Sequence, residues 1–344
     1  MSHNYLHMPQ DQFNRSLRDL RISVIDRCNF RCPYCMPAEQ YHHAYEFLEK
    51  KEWLNFEEIT RLARVFVSLG VKKLRLTGGE PLLRPHIDDL IRQLSAIEGV
   101  EDLALTTNGS MLAEWAPRLK AAGLQRLTVS LDSLDPTVFK QMNGERGKVE
   151  DVLEGIKAAE FAGFKRIKFN VVVQRGINDH TILDLVRHFR GSNHVVRFIE
   201  YMDVGNQNHW EYKHVVPSTE ITRLIQAVYP WERLDGTEGG ETSERYRFTD
   251  GQGEIGFISS VTHAFCGTCN RLRLSADGKM YTCLFATHGT DLREHLRNGS
   301  NDAFLKHLMR VIWMKREDRY SELRSQIRQS SRPLPKVEMY QIGG

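Results

Sequence analysis

The sequence predicts an α/β fold in which a parallel sheet forms an incomplete (β/α)6 barrel of the TIM type. Six short runs dominated by Val, Ile, Leu and Phe alternate with amphipathic helical stretches between residues 19 and 202. Such alternation is typical of a parallel sheet that carries helices on its outer face. Six units are fewer than the eight of a closed barrel, so the barrel is expected to be open along one side. A doubly wound open sheet is the alternative, and the sequence does not separate the two.

The strands and helices of this unit follow from composition and spacing. One helix is expected to begin after Asn55, an N-cap residue that precedes apolar residues at helical spacing. The six predicted strands comprise residues 20–25, 73–77, 103–107, 127–131, 167–173 and 195–202.

The rest of the chain has a different pattern. A glycine-rich turn at residues 235–240 precedes short apolar runs that are joined by turns such as Asp250-Gly251. These runs comprise residues 245–248, 254–258, 271–275 and 280–283, and a charged helical stretch covers residues 302–329. The sequence thus predicts a first domain at residues 1–210 and a second at residues 211–344, an α+β extension that closes the barrel opening.

Composition and charge exclude several classes of protein. The 344 residues are 41% hydrophobic and 26% charged, which is typical of a soluble globular protein. The polar first dozen residues lack the apolar core of a signal peptide, and no apolar run is long enough to span a bilayer. A cytoplasmic location without membrane association is therefore expected. The net charge of +3 comes without a basic block, so nucleic acid is not an expected partner.

All six cysteines of the chain fall into two triplets that are more than two hundred residues apart. Cytosolic cysteines are normally reduced, so a disulfide framework is not expected. Two compact triplets are instead typical of metal binding.

The first triplet follows the first predicted strand, at the end where α/β barrels place their active sites. The triplet is Cys28, Cys32 and Cys35. Three thiolates can hold a four-iron cluster and leave one iron open to an external ligand, whereas ordinary four-iron clusters take four. A zinc site completed by His42 or His43 and a redox dithiol at Cys32 and Cys35 are the alternatives.

The second triplet combines a Cys-x2-Cys pair with one distant cysteine. It consists of Cys266, Cys269 and Cys283. A zinc ribbon completed by His263 or His288 is the alternative to a second open cluster. Arg271 and Arg273 alternate along a predicted strand and therefore share one face, beside the cysteines. Two guanidiniums beside an open iron favour an anionic or carbonyl-bearing substrate, although an isolated Arg-x-Arg would be read as a solvated strand face.

The first triplet and the Thr77-Gly78-Gly79-Glu80-Pro81 segment after the second predicted strand together resemble the radical S-adenosylmethionine superfamily. In that superfamily the open iron chelates the amino and carboxylate groups of S-adenosylmethionine, and one electron cleaves the sulfonium to give a 5′-deoxyadenosyl radical. The glycines would allow a ligand to approach the backbone closely. Glu80 could accept hydrogen bonds from the ligand's ammonium group.

Within that superfamily, almost the whole chain is similar to the GTP 3′,8-cyclases, which begin molybdenum cofactor biosynthesis. The segments that carry the similarity are residues 18–37, 105–109, 129–132, 176–179 and 197–203, the second triplet, and the C-terminal Ile342-Gly343-Gly344. In that family the terminal double glycine reaches toward the active site.

The resemblance implies a role for each matching position. The first triplet would hold the 4Fe–4S cluster that cleaves S-adenosylmethionine, and the second triplet would hold a second 4Fe–4S cluster that meets the guanine. The residues implied for S-adenosylmethionine are Tyr34, Gly79, Glu80, Ser130 and Met202. Those implied for GTP are Arg21, Arg75, Thr106, Lys168, Arg271 and Arg273, and those expected to serve catalysis are Lys73, Arg197, Arg271 and Arg273.

Several of these basic residues lie in predicted strands, where an unpaired charge is costly. They could point inward at a triphosphate, or they could form salt bridges with Asp or Glu or cap the barrel floor.

The implied reaction is radical cyclisation of GTP, in which the C3′ radical of the ribose attacks C8 of the base. The implied partners are an electron donor of the flavodoxin or ferredoxin type, a downstream cyclic pyranopterin synthase and a second copy of the chain in a homodimer. Two rival hypotheses are a different radical enzyme with an auxiliary cluster and a non-catalytic, zinc-stabilised binding module.

Overall fold

The computed structural model describes residues 8–234, 240–329 and 335–343. Two sequence features lie outside these residues: Gly344, the second glycine of the C-terminal pair, and residues 235–239 of the predicted glycine-rich turn.

One mixed sheet of twelve strands organises the described chain. The strands are β1 (Asp19–Ser23), β2 (Lys73–Thr77), β3 (Asp102–Thr107), β4 (Arg126–Ser130), β5 (Lys168–Val173), β6 (Val195–Glu200), β7 (Trp231–Leu234), β8 (Glu244–Phe248), β9 (Glu254–Ile258), β10 (Arg271–Leu274), β11 (Lys279–Tyr281) and β12 (Thr290–Asp291). Their order in the sheet is β12-β11-β10-β1-β2-β3-β4-β5-β6-β9-β8-β7.

The helices surround this sheet and connect its strands. The α-helices are α1 (Phe56–Val67), α2 (Ile87–Ser95), α3 (Leu112–Ala121), α4 (Pro136–Asn143), α5 (Val149–Phe161), α6 (Ile182–Phe189), α7 (Ser218–Gln226), α8 (Arg293–Arg297), α9 (Asp302–Met314), α10 (Tyr320–Gln329) and α11 (Met339–Ile342). Single 3-10 turns occur at Lys50–Glu52, Pro81–Leu83, Asp179–Thr181, Tyr212–His214 and Cys266–Thr268. Within the described residues, none of the helices combines the length and the apolar character needed to cross a bilayer.

The prediction of an α/β fold with a large parallel sheet is confirmed. The six predicted strands match β1 to β6, which lie side by side in chain order and are all parallel. This order lacks the reversal that defines a doubly wound sheet, so that alternative is wrong. Asn55 caps α1 as expected, because its side chain accepts a hydrogen bond from the backbone N–H of Glu58.

The C-terminal strands extend this sheet at both of its edges. The predicted strands at residues 245–248, 254–258, 271–275 and 280–283 correspond to β8, β9, β10 and β11, whereas β7 and β12 were not predicted. β10 pairs with β1 and β9 pairs with β6, both in parallel orientation. Eight consecutive strands, from β10 to β9, are therefore parallel, and antiparallel strands follow at either end.

Side-chain alternation along the strands separates an apolar face from a polar one. Leu20 and Ile22 of β1 and Leu74 and Leu76 of β2 are buried in the main hydrophobic core, which also contains residues of the covering helices. The alternate positions carry Asp, Lys and Arg and therefore face the opposite side of the sheet. Each fully buried Leu or Ile stabilises the fold by roughly 1.5–3 kcal/mol. This core holds the polar face in position.

Candidate active site

A cavity of about 750 Å³ lies against the polar face of the sheet. Its volume is in the range of small-molecule binding sites. Residues of all eight parallel strands, β10, β1 to β6 and β9, line it. The residues of the predicted site that line it are Arg21, Lys73, Arg75, Thr106, Lys168, Arg197, Met202, Cys266, Cys269, Arg271, Arg273 and Cys283.

Strand register aligns arginines side by side on the cavity wall. Arg21 is opposite Arg273 on one neighbouring strand and opposite Arg75 on the other. The next row, two residues earlier on each strand, consists of Arg271, Asp19 and Lys73. Burial and the adjacent Arg273 hold the pKa of Arg21 well below its usual range. Such a concentration of buried positive charge is unfavourable by itself and favours the binding of an anion.

Hydrogen bonds to neutral side chains orient two of these guanidiniums. Arg75 donates to the hydroxyl oxygens of Thr106 at 3.1 Å and Thr128 at 3.0 Å. Arg197 donates to the amide oxygen of Asn170 at 2.6 Å. Hydroxyl and amide oxygens carry no charge, so these contacts position the guanidiniums and leave their positive charges unneutralised.

The second cysteine triplet lies on the same cavity wall. Cys266 is in the 3-10 turn that precedes β10, and Cys283 follows β11. The Sγ atom of Cys269 accepts hydrogen bonds from Arg271 at 3.3 Å and Arg316 at 3.2 Å. Burial raises the pKa of the Cys269 thiol, but the two guanidiniums outweigh burial and lower the pKa to about 6. The lowered pKa favours the thiolate form of Cys269, which is the form that binds iron.

The first cysteine triplet occupies the loop after β1, at the carboxyl ends of the strands. The backbone N–H groups of Cys35 and Met36 both donate to the carbonyl oxygen of Cys32, at 2.9 and 2.8 Å. This turn brings the second and third cysteines close together in a compact loop. Burial is the largest cause of a raised pKa at Cys28, which reaches about 12.

The two glycines after β2 are needed by the cysteine loop itself. A Cβ atom on Gly78 would lie 2.5 Å from the carbonyl oxygen of Ile25, and one on Gly79 would lie 2.2 Å from that of Arg27. The N–H groups of Gly79 and Glu80 donate to the same two carbonyl oxygens, both at 2.8 Å. The close approach that was expected from a ligand is thus made by the backbone of the loop.

Glu80 joins the carboxyl ends of β2 and β3. Its buried carboxylate accepts hydrogen bonds from the hydroxyl of Thr107 at 2.7 Å and from the backbone N–H groups of Asn108 at 2.7 Å and Leu82 at 3.0 Å. Burial raises the pKa of this carboxyl to about 7, against the effect of the three donors. Glu80 therefore organises the loop, and its contact with a ligand ammonium group stays a prediction.

A second buried carboxylate joins the cysteine loop to β4 and β5. The hydroxyl of Tyr34 donates to Asp132 at 2.8 Å, and the backbone N–H of Val172 donates to the other carboxylate oxygen at 2.8 Å. The side-chain amide of Asn178 donates to the carbonyl oxygens of Asp132 and Val172, both at 2.9 Å. This use of Asp132 and Asn178 was not predicted, although both residues lie in the segments that carry the family resemblance.

The structure brings together only part of the predicted site. The residues expected to bind GTP and the second triplet share the cavity, and Met202 is the residue expected to bind S-adenosylmethionine that also lines it. Among the described lining residues, the first triplet is absent, as are Tyr34, Gly79, Glu80 and Ser130. These lie around the carboxyl ends of β1, β2 and β4.

The C-terminal segment reaches the same end of the sheet. Arg273 donates to the carbonyl oxygen of Gly343 and, at 3.2 Å, to that of Ile342. A Cβ atom on Gly343 would lie 2.0 Å from the side chain of Thr77, at the end of β2. The hydroxyls of Tyr340 and Tyr45 are 2.8 Å apart and hydrogen-bonded. The first glycine of the C-terminal pair is therefore packed against the site, as the resemblance implied.

The histidines considered for zinc sites make local contacts. His263 is exposed, 3.9 Å from the carboxylate of Glu244. His42 accepts a hydrogen bond from a backbone N–H two residues on, and His288 is hydrogen-bonded to Thr287. Across the described part of the chain, no three His, Cys, Asp or Glu side chains are grouped so as to hold a single metal ion.

Two family models match the chain in succession. The Radical SAM superfamily model matches residues 22–189, and the Molybdenum Cofactor Synthesis C model matches residues 194–322. A crystal structure of Streptococcus suis SuiB bound to S-adenosylmethionine is similar in fold, with a TM-score of 0.59 and 15% identity. The match covers 92% of this chain and 71% of the SuiB chain. At that identity the likeness shows the fold alone.

Curated relatives match over nearly their full length. The GTP 3′,8-cyclase of Xanthomonas axonopodis pv. citri is 53% identical over 335 residues, 97% of this chain and 98% of the relative. That of Acidothermus cellulolyticus is 50% identical, over 92% of this chain and 88% of the relative, and that of Staphylococcus carnosus is 46% identical, over 97% and 98%. The chain belongs to the GTP 3′,8-cyclase family of the radical S-adenosylmethionine superfamily.

Proposed function

We propose that the protein converts GTP into (8S)-3′,8-cyclo-7,8-dihydroguanosine 5′-triphosphate, the first step of molybdenum cofactor biosynthesis. It uses S-adenosylmethionine and two 4Fe–4S clusters as cofactors. The observation that supports this most strongly is the shared cavity, in which a row of buried arginines faces the same space as the second cysteine triplet. A triphosphate and a purine base are the chemical groups that such a wall suits.

The first triplet fits the cluster that cleaves S-adenosylmethionine. Cys28, Cys32 and Cys35 supply three sulfur donors on one compact loop, and that loop is fixed by its backbone contacts with Gly79 and Glu80. Bound there, the cluster would supply one electron for the reductive cleavage of S-adenosylmethionine to methionine and a 5′-deoxyadenosyl radical, and this radical would take the hydrogen atom from C3′ of GTP. The protein's own contribution is orientation and the exclusion of water and oxygen.

The second triplet fits the cluster that meets the guanine. Cys266, Cys269 and Cys283 place three sulfur donors on the cavity wall. Three donors leave one iron of a four-iron cluster for an external ligand. Arg271 and Arg273 lie on β10, between Cys269 and Cys283 in the sequence, and line the cavity beside the triplet. There they would hold the nucleotide by charge-assisted hydrogen bonds.

The remaining basic residues are proposed to bind the triphosphate. Arg21, Arg75 and Lys168 lie on β1, β2 and β5 and face the same cavity. Thr106 would accept a hydrogen bond from Arg75 or donate one to a phosphate oxygen. Lys73 and Arg197 add positive charge to the wall and would orient the ribose and phosphates during ring closure.

Six further proposals concern architecture and context. A sheet whose strands β10 and β1 to β6 line one cavity is consistent with an incomplete (β/α)6 barrel, closed by the C-terminal α+β extension. The chain divides into a first domain at residues 1–210 and a second domain at residues 211–344. A donor of the flavodoxin or ferredoxin type would supply electrons, and a cyclic pyranopterin synthase would consume the product. A cytoplasmic location and a homodimer complete the proposal.

Anaerobic incubation with S-adenosylmethionine, a reductant and each nucleoside triphosphate tests the function. We expect consumption of GTP alone, with one cyclised product and 5′-deoxyadenosine, from protein that contains about eight irons per chain. Formation of 5′-deoxyadenosine with GTP untouched would favour a different radical enzyme. Two zincs and no iron would favour a binding module.

Lys168 predicts a pH dependence of GTP binding. Burial lowers its pKa, and the guanidiniums of Arg197 and Arg126 lower it further, to about 7. A bound triphosphate would raise this pKa again, because a neighbouring anion favours the ammonium form. Above pH 7 binding should therefore take up a proton, and the affinity for GTP should fall by at most about tenfold per pH unit.

Anaerobic calorimetry in buffers of different ionisation enthalpy measures this uptake. The Lys168→Arg variant is the control, because arginine stays charged over this range and should remove the uptake while GTP still binds. Equal proton uptake by the variant and the wild type would show that another group titrates.

A further inference from the structure

A buried carboxylate near the start of the chain joins two arginines beside the second triplet. Asp11 accepts a hydrogen bond from Arg15 at 2.6 Å and from Arg316 at 3.2 Å. The side chain of Asp11 is 0% exposed and those of both arginines are 2% exposed. Buried ions are costly unless they are paired and hydrogen-bonded, so this cluster holds a fixed geometry.

The two arginines contact the backbone around all three cysteines. Arg15 donates to the carbonyl oxygen of Cys266 at 2.7 Å. Arg316 donates to the carbonyl oxygen of Cys269 at 2.7 Å and to that of Thr282, the residue before the third cysteine, at 3.0 Å. Both segments that carry the triplet, the turn with Cys266 and Cys269 and the stretch before Cys283, are therefore tied to one buried ion cluster.

Arg316 also contacts a sulfur atom directly. Its Nη2 atom donates to Sγ of Cys269 at 3.2 Å, while Nη1 and Nε hold the backbone. Its guanidinium lies over the ring of Trp313, with 4.6 Å between the guanidinium carbon and the ring centroid. A residue that only anchored the chain would need the carbonyl contacts alone. The contact with sulfur places the positive charge of Arg316 against the atom that would bind the cluster.

We propose that Asp11, Arg15 and Arg316 form the scaffold that positions the second cluster, and that Arg316 raises the reduction potential of this cluster. Hydrogen bonds and positive charge at a ligand sulfur stabilise the more negative, reduced state of an iron–sulfur cluster. The proposal rests on the proposed function, in which Cys266, Cys269 and Cys283 hold that cluster.

The test uses a protein that retains the second cluster alone, and it replaces Arg316 in that protein. A background variant in which the first triplet is replaced by alanine retains the second triplet alone. Into it are introduced Arg316→Met, Arg316→Lys and, as the control, Arg319→Met. Arg319 is a nearby exposed arginine that pairs with Glu322. Iron per chain and the reduction potential are measured by metal analysis and by an anaerobic titration followed by electron paramagnetic resonance.

The background and Arg319→Met are expected to hold about four irons per chain at the same potential. Arg316→Met should shift the potential to more negative values, and Arg316→Lys should shift it less, because one ammonium keeps the charge but not all the hydrogen bonds. Asp11→Asn should speed the loss of iron to a chelator, with circular dichroism unchanged. Loss of iron from a folded Arg316→Met variant would support the positioning role. In that case the reduction potential would be measured on the Arg316→Lys variant.

Two outcomes contradict the inference in different ways. Four irons at an unchanged potential in both Arg316 variants would overturn this inference and leave the proposed function intact. A background variant that folds without iron would overturn the assignment of the second cluster, and with it the proposed function.

Discussion

Replacing Cys32 with alanine is expected to abolish cleavage of S-adenosylmethionine and consumption of GTP together. Replacing Cys283 with alanine is expected to abolish cyclisation of GTP while 5′-deoxyadenosine still forms. The reason is spatial, because Cys283 lines the cavity with the predicted GTP residues and Cys32 lies in the loop after β1. Chromatography of anaerobic reactions measures both products. Metal analysis should give about four irons per chain in each variant, against about eight in the wild type.

The two cysteine variants control one another, since each removes one half-buried cysteine from a site of the same kind. Circular dichroism would show whether both variants are folded. If Cys283→Ala lost cleavage to the same degree as Cys32→Ala, the second triplet would have to serve the first site or the fold.

Replacing Arg271 or Arg273 with alanine is expected to lower GTP turnover by a factor on the order of 10²–10³ or more, while uncoupled cleavage of S-adenosylmethionine persists. Loss of one preorganised donor in a catalytic site has about this effect. Arg273 should be the more severe of the two, because it also holds the carbonyl oxygens of Ile342 and Gly343. The measurement is kcat and KM for GTP beside the rate of 5′-deoxyadenosine formation.

Arg118→Ala provides the matched control for these variants. Arg118 lies on α3, pairs with Asp88 at 2.9 Å and stacks on Trp115, and it is not among the described residues that line the cavity. Its replacement should leave both rates unchanged. Equal loss of cleavage and cyclisation in the Arg271 and Arg273 variants would indicate a role in the first site or in the fold.

Local patterns in the sequence predicted the strands and helices of the parallel unit. β1 to β6 were predicted because each is a short apolar run followed by a helical period, and α1 because Asn55 is a strong N-cap. The places of β9 and β10 in the sheet could not be predicted in this way, although both strands were predicted in the chain. Their pairing with β6 and β1 depends on register between distant segments, and no local property of a strand specifies its remote neighbour.

The same limit applies to the candidate site. The spacing of Cys28, Cys32 and Cys35 indicates a metal site. The alternation of Arg271 and Arg273 beside a second triplet indicates a substrate-binding face. Asp11, Arg15 and Arg316 are isolated charged residues at opposite ends of the chain, and their convergence is visible only in the fold. Gly78 and Gly79 were expected to allow the close approach of a ligand. The backbone of the cysteine loop approaches them in the structure, and contact with a ligand stays a prediction.

The parallel pairing of β1 with β10 has a consequence for synthesis. The two strands are about 250 residues apart in the chain, so at 5–20 residues per second β10 leaves the ribosome roughly 10–50 s after β1. During that interval one edge of β1 carries unpaired backbone groups, which invite pairing with another nascent chain. We expect chaperones to shield this edge until β10, the strand that also carries Arg271 and Arg273, has been made.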